Sequence, residues 1–219
     1  PLSQLATFLT QRGHDVLLEA ETATYTPLAG YPSAPAQDLG ERTDVAIVVG
    51  GDGTMLAIAR MLAPYDVPLI GVNQGRLGFL TDIPLATMED ALAPILAGRY
   101  VEERRWLLQA TIRRNDGIEG AAIALNEVVA SRGAQGGMID LAVEIDGAFV
   151  FAMRADGLIV ATPTGSTAYA LSAQGPIVHP RVPAIVLVPV APHALTNRPI
   201  AIADTSTINV RLLRGKEAG

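Results

Sequence analysis

Several short stretches of this 219-residue chain group polar side chains in ways that plain helices and strands do not require. The first is Gly50-Gly51-Asp52-Gly53-Thr54. Glycines let a backbone come close to an anion, and the N–H groups and dipole of a following helix favour phosphate, so Gly51, Gly53 and Thr54 read as a phosphate-binding turn. Asp52 does not fit that role. A carboxylate repels phosphate, so its task is to accept a proton, hold a metal or bond a sugar hydroxyl. The plainer alternative makes Asp52 the cap of the next helix.

Asn126-Glu127 is wedged between Ala124-Leu125 and Val128-Val129, where an amide and a carboxylate need partners unless they mark a strand end. Arg154 and Asp156 stand two residues apart, which on a strand puts them on one side. There they form either a surface ion pair or a holder for polar ligand groups. The run Thr162 to Ser172 is rich in hydroxyls within a Gly/Pro-shaped turn, which suits hydrogen bonding to a base or ribose. Ser166 is the expected cap of a helix over 167–173. Phe79, in a second glycine-rich loop from Asn73 to Leu80, is either core or a stacking surface for a ligand. His179 and His193 lack metal-site spacing and read as structural.

The elements that must hold these residues follow from periodicity. Asp44 to Val49 is a buried strand and Met55 to Leu62 a helix; Val67 to Val72 is a second strand, which brings both glycine loops to one edge of a parallel sheet. Before them come a helix with Leu2, Leu5, Ala6 and Leu9 on one face, a strand at Val16 to Leu18 and a surface loop from Thr24 to Gly40. A helix over 87–97, with Thr87 as cap, a kink at Pro94 and a stop at Gly98, closes this half. From about Glu103 the pattern alternates, as in Trp106, Leu108, Ala110 and Ile112 and again from Ile139 to Ile145. Asn115-Asp116-Gly117 and Asp146-Gly147 give hairpin signals. The expected fold is α/β: residues 1–103 form a Rossmann-like open parallel sheet, and 104–219 a mostly β domain for the ligand.

Composition narrows the chemistry. With 49% hydrophobic and 17% charged residues the chain is globular, and no apolar run has the length of a membrane span. It has no cysteine, which excludes thiolate chemistry and fits a cytoplasmic location. A net charge of -6 argues against nucleic-acid partners. Lys216 is the only lysine among 16 basic residues, so a P-loop is absent, and phosphate must be met by backbone N–H groups, arginine and a metal ion.

Taken in order, the GGDGT turn, Gly71 to Thr81, Asn126-Glu127, Asp156-Gly157 and Thr162-Pro163-Thr164-Gly165-Ser166-Thr167-Ala168-Tyr169 resemble the bacterial NAD kinases from about Arg12 to Asp204. That resemblance implies phosphorylation of the adenosine-ribose 2′-hydroxyl of NAD. ATP, or inorganic polyphosphate, would be the donor, with a divalent metal, magnesium being the expected ion. It implies Asp52 as general base with Gly53 beside it, and Asn126, Glu127, Arg154, Asp156, Thr167, Ala168, Tyr169 and Ser172 at the NAD. Thr164 and Phe79 are added to the NAD site from their motifs, and no protein residue is assigned to a metal. It also implies a homodimer or homotetramer in which a neighbouring subunit helps complete the site. Gln174 stands where the family more often has glycine, and strands expected at both ends of the family's fold lie beyond the chain. The rival readings are a dinucleotide sensor without catalysis and a lipid kinase of the same GGDG group. A Rossmann dehydrogenase fits less well, because the third glycine of its fingerprint is missing.

Overall fold

The computed structural model describes residues 1–75, 78–114, 117–133, 137–194 and 196–213. Contacts divide the chain into two compact units, Pro1–Glu103 and Arg104–Gly219. The expected turn at Asn115-Asp116, the Arg76-Leu77 part of the second glycine loop, and Lys216 lie outside the described residues.

The first unit is α/β. Helix α1 (Leu2–Gln11) ends before Gly13, whose φ of +82° suits only glycine readily. Strand β1 (Leu18–Glu19), helix α2 (Ala20–Thr24), strand β2 (Ser33–Ala34) and helix α3 (Ala36–Leu39) follow. The expected strand from Val16 is therefore shorter and later. The span from Thr24 to Gly40 is not one open loop, because Ser33–Ala34 pairs in parallel with β1 and buries Ala34.

The functional part of this unit is β3 (Ala46–Gly50), α4 (Asp52–Leu62), β4 (Leu69–Asn73), β5 (Ile83–Pro84) and α5 (Met88–Leu96). The three strands form a parallel sheet in the order β3-β4-β5. Alternation along the strands separates two cores. Ile47, Val49, Ile70 and Val72 meet Leu5, Phe8, Met88 and Leu92 of α1 and α5. Ala46 and Leu69, on the other side, meet Leu39 of α3 and Ile58 and Leu62 of α4. Both faces are covered, which is why these strands read as continuous apolar runs. Gly98 follows α5 with a φ of +78°, but Thr87 makes no side-chain cap; its hydroxyl donates to the Pro84 carbonyl oxygen instead.

The second unit is mostly antiparallel β. A hairpin of β6 (Leu108–Arg114) and β7 (Gly117–Ala124) comes first. Trp106 lies before β6 and is exposed, so the expected alternation starts two residues too early. Then come β8 (Glu127–Ser131), β9 (Ile139–Ile145), β10 (Ala148–Ala155) and β11 (Gly157–Ala161). A 3-10 turn (Gly165–Thr167) and the short helix α6 (Tyr169–Ser172) lead to β12 (Ala184–Val190), β13 (Ile200–Ala203) and β14 (Ile208–Leu213). The hairpin between β9 and β10 turns at Asp146-Gly147, both at positive φ, as the Asp-Gly signal requires.

Two sheets, β10-β9-β14 and β13-β12-β11-β8, share a core of Leu141, Val143, Met153, Leu158, Ile185 and Leu187. Their neighbours Ile159, Ala161, Val186 and Val188 point the other way, onto Ala170 of α6. Strands β11 and β12 are thus buried on both sides and can carry the end of β11 into the site without freedom to shift register. Gln174, after α6, has a φ of +66°, in the left-handed region that favours glycine. Leu141 is fully buried in this core, so Leu141→Ala should cost about 2–5 kcal/mol. A lower urea midpoint with an unchanged slope would show it.

Candidate active site

The parallel register places Gly50 beside Asn73, and the Gln74 N–H donates to the Gly50 carbonyl oxygen at 3.2 Å. The two glycine loops therefore leave the sheet side by side at the carboxyl ends of β3 and β4, where such sheets bind ligands. Gly51 occupies the cap position of α4 with extended backbone and no side-chain cap, and Asp52 is the first helical residue. Asp52 does not cap its own helix.

Its carboxylate reaches across to the second loop instead. Oδ2 accepts the Phe79 N–H at 2.8 Å. Oδ1 accepts the Leu80 N–H at 3.0 Å, the Thr81 N–H at 3.2 Å and the Thr81 hydroxyl at 3.2 Å. Gly78 makes room for this, since a Cβ there would lie 2.1 Å from Oδ1. Burial pushes the Asp52 carboxyl up, but the donors from Phe79, Leu80 and Thr81 outweigh it and hold the group below its ordinary range. That contribution to stability is present above the unfolded pKa and is lost as pH falls through the folded one. At neutral pH Asp52 is an anion with a fixed orientation and low basicity.

Phe79 is 74% exposed, which removes the core reading and leaves its ring open to a flat partner. Gly51, Gly53 and Thr54 are exposed at the start of α4. Asn73 and Thr81, which no single-residue argument had singled out, are buried polar residues that tie the second loop to β4. The available signal was an amide at the end of an apolar strand, eight residues before a threonine that closes the loop.

In the second unit the hydroxyl-rich run leaves β11 next to the start of β8, with Ala161 opposite Glu127. The Thr162 N–H donates to the Asn126 carbonyl oxygen at 2.8 Å, and the Thr162 hydroxyl to that of Leu125 at 2.5 Å. Gly165 packs against Asn126 so closely that a Cβ would stand 2.1 Å from its carbonyl oxygen. The Ser166 hydroxyl donates to the Pro163 carbonyl oxygen at 2.6 Å and accepts the Val178 N–H at 2.9 Å. It caps no helix, and α6 begins only at Tyr169. Thr167 donates to the Thr164 carbonyl oxygen, and the Thr164 hydroxyl accepts from Arg105 at 3.3 Å. Most of the hydroxyls expected to face a ligand thus hold the turn in shape. Tyr169 and Ser172 are exposed, while Thr167 and Ala168 are half-buried.

Glu127 is different. Its Oε2 is buried with no hydrogen-bond partner among the described residues, and burial raises its carboxyl above the ordinary value. An orphaned buried carboxylate oxygen is costly unless a ligand supplies donors.

Arg154 and Asp156 do not join this cluster. Arg154 is on β10 and Asp156 falls between β10 and β11, and the alternation with buried Met153, Ala155 and Gly157 keeps both on the exposed side. Both are exposed, and among the described residues neither forms an ion pair. The six steps from Asp156 to Thr162 along β11, at about 3.3 Å each, set the two about 20 Å apart. The backbone N–H of His193 bonds the Arg154 carbonyl oxygen, and His179 Nδ1 accepts the Arg181 N–H.

Among the described residues no three His, Asp or Glu side chains gather as a metal cage.

Comparison with known proteins gives two family matches: the ATP-NAD kinase N-terminal domain over residues 5–100 and the ATP-NAD kinase C-terminal domain over 125–219. The chain is 56% identical over 212 residues to the NAD kinase of Bordetella avium, covering 97% of this chain and 71% of that protein. It is 52% identical over 217 residues to the NAD kinase of a Polaromonas species, covering 99% and 75%. Among solved structures, yeast NADH kinase complexed with NADH superimposes with a TM-score of 0.84 at 31% identity, over 95% of this chain and 67% of that one. An NAD kinase from Archaeoglobus fulgidus in complex with ATP gives 0.74 at 31% identity, over 96% and 76%.

Because the folded Glu127 carboxyl is raised, the fold loses stability as pH rises through that value. Glu127→Gln should therefore melt higher than the parent near neutral pH and alike at acid pH, while binding dinucleotide more weakly. Thermal unfolding across pH, with and without NAD, checks both halves.

Proposed function

The chain belongs to the NAD kinase family, and from that premise we propose how its residues carry out the transfer of the ATP γ-phosphoryl group to NAD to give NADP. The observation that carries the reading is the Asp52 carboxylate, fixed by backbone donors beside the exposed start of α4. The free N–H groups of Gly53 and Thr54, with Gly51, take the donor phosphates, and the helix dipole adds to their pull. A divalent ion, magnesium by its chemistry, would come bound to ATP and would neutralise charge on its phosphates.

Asp52 accepts the hydrogen bond of the ribose 2′-hydroxyl and, late in the reaction, its proton. A strong base is not needed. Phosphoryl transfer passes through a loose transition state in which positioning counts for more than deprotonation. Phe79 offers its exposed ring to a base of the dinucleotide. Asn126, Glu127, Thr164, Thr167, Ala168, Tyr169 and Ser172 form the NAD surface of the second unit, with Glu127 Oε2 receiving ligand donors that the fold leaves unsupplied.

The length of β11 supports a separate role for Arg154 and Asp156. They serve the dinucleotide bound by a second copy of the chain, within a homodimer or homotetramer in the cytoplasm. No nucleic-acid or membrane partner is proposed, since a net charge of -6 opposes phosphate backbones and the reaction needs neither. The relative complexed with NADH is a reason to test both oxidation states of the acceptor, and polyphosphate should be tested beside ATP.

Incubation with NAD, ATP and magnesium should yield NADP, read with an NADP-specific dehydrogenase. Asp52→Asn should lower the rate by about 10²- to 10⁴-fold. NAD binding without NADP formation by the parent would instead support a sensor. Mixing Asp52→Asn chains with Arg154→Ala chains should recover part of the activity that each lacks alone; no recovery under conditions where subunits exchange contradicts the shared site.

A further inference from the structure

We propose that Thr81 is a positioning residue for the phosphoryl transfer: its hydroxyl, oriented by Asn73, saturates Oδ1 of Asp52 and leaves Oδ2 to meet the acceptor hydroxyl. The proposal rests on the role given to Asp52 above. Thr81 has no exposed surface, and Asn73 is 4% exposed. The direction of each bond follows from what the groups can do. Asn73 Oδ1 accepts the Gly75 N–H at 2.7 Å, which fixes its amide so that Nδ2 faces Thr81. Nδ2 can only donate, and it lies 3.0 Å from the Thr81 hydroxyl oxygen. An ionised carboxylate can only accept, so the single hydroxyl proton of Thr81 is directed to Asp52 Oδ1 at 3.2 Å.

The result is uneven. Oδ1 receives three donors and has no further capacity, whereas Oδ2 receives only the Phe79 N–H. A carboxylate has about two lone-pair sites per oxygen, so one on Oδ2 remains available. Close packing keeps the carboxylate from rotating: a Cβ at Gly71 would meet the Leu80 carbonyl oxygen at 2.6 Å, and one at Gly78 would meet Oδ1. Sheet, amide, hydroxyl and carboxylate form one chain from β4 to the oxygen that remains.

The test is a double-mutant cycle on the full-length enzyme, with kcat, KM for NAD and melting temperature read for each protein. Thr81→Val removes the hydroxyl at nearly constant shape and should lower kcat about tenfold with KM little changed, as expected for losing one hydrogen bond to a charged group. Thr81→Ser should restore kcat to within about twofold. In an Asp52→Asn background Thr81→Val should have no further effect on kcat, because the hydroxyl acts only through the carboxylate. An equal loss in both backgrounds, a serine variant as slow as valine, or an unchanged Thr81→Val would overturn the proposal. An Asp52→Asn enzyme as fast as the parent would instead remove the role of Asp52 itself. Should Thr81→Val fail to fold, Gly78→Ala, whose Cβ would stand 2.1 Å from Oδ1 and 2.8 Å from the Thr81 hydroxyl oxygen, disturbs the same bond and must show the same kcat loss, absent in the Asp52→Asn background; a loss in both overturns the proposal.

Discussion

The carboxylate of Asp52, held by the backbone of Phe79, Leu80 and Thr81, is the interaction on which the first unit's site depends. A glycine-rich loop at a strand end has an intrinsic attraction for anions, and this protein supplies one of its own. The amides of Phe79, Leu80 and Thr81 are occupied by it, whereas the residues that start α4 remain exposed. Much of the nearby sequence follows from that bond. Gly78 and Gly71 permit the approach, the parallel pairing of β3 with β4 sets the two loops side by side, and the buried Asn73 and Thr81 keep the second loop in place.

The second unit reaches a fixed geometry by a different route. Its turn after β11 is held by side-chain hydroxyls bonding nearby backbone, which shapes a short irregular segment without helix or strand hydrogen bonds. Rigid, doubly buried strands on either side supply the rest. Against this satisfied framework Glu127 stands out, with a buried carboxylate oxygen the fold does not pair. Sites that bind polar ligands commonly retain such unfavourable groups, because the stability lost in the free protein returns as affinity when donors arrive.

The sequence made the architecture readable where periodicity and loops coincide: apolar runs ending in glycine turns gave β3, α4 and β4, and Asp-Gly marked the hairpin of β9 and β10. It misled where short segments obey tertiary partners. Ser33–Ala34 becomes a strand only because β1 lies beside it, and Ser166 bonds Pro163 and Val178, where local spacing suggested a helix cap. Asp52 was identifiable as an anomaly, but its partners were not, since hydrogen bonds across 27 to 29 residues leave no local pattern. Arg154 and Asp156 share the exposed side, as their spacing implies, but their place at the far end of β11 from Thr162 depends on where the strands end.

Transfer of a phosphoryl group from ATP to the adenosine ribose of NAD can be followed in the ³¹P NMR spectrum of a mixture of the protein, NAD, ATP and magnesium. The predicted result is a growing phosphomonoester signal coupled to the 2′ proton of the adenosine ribose, matched by ADP. ADP with inorganic phosphate alone, or no change in ATP, would contradict it.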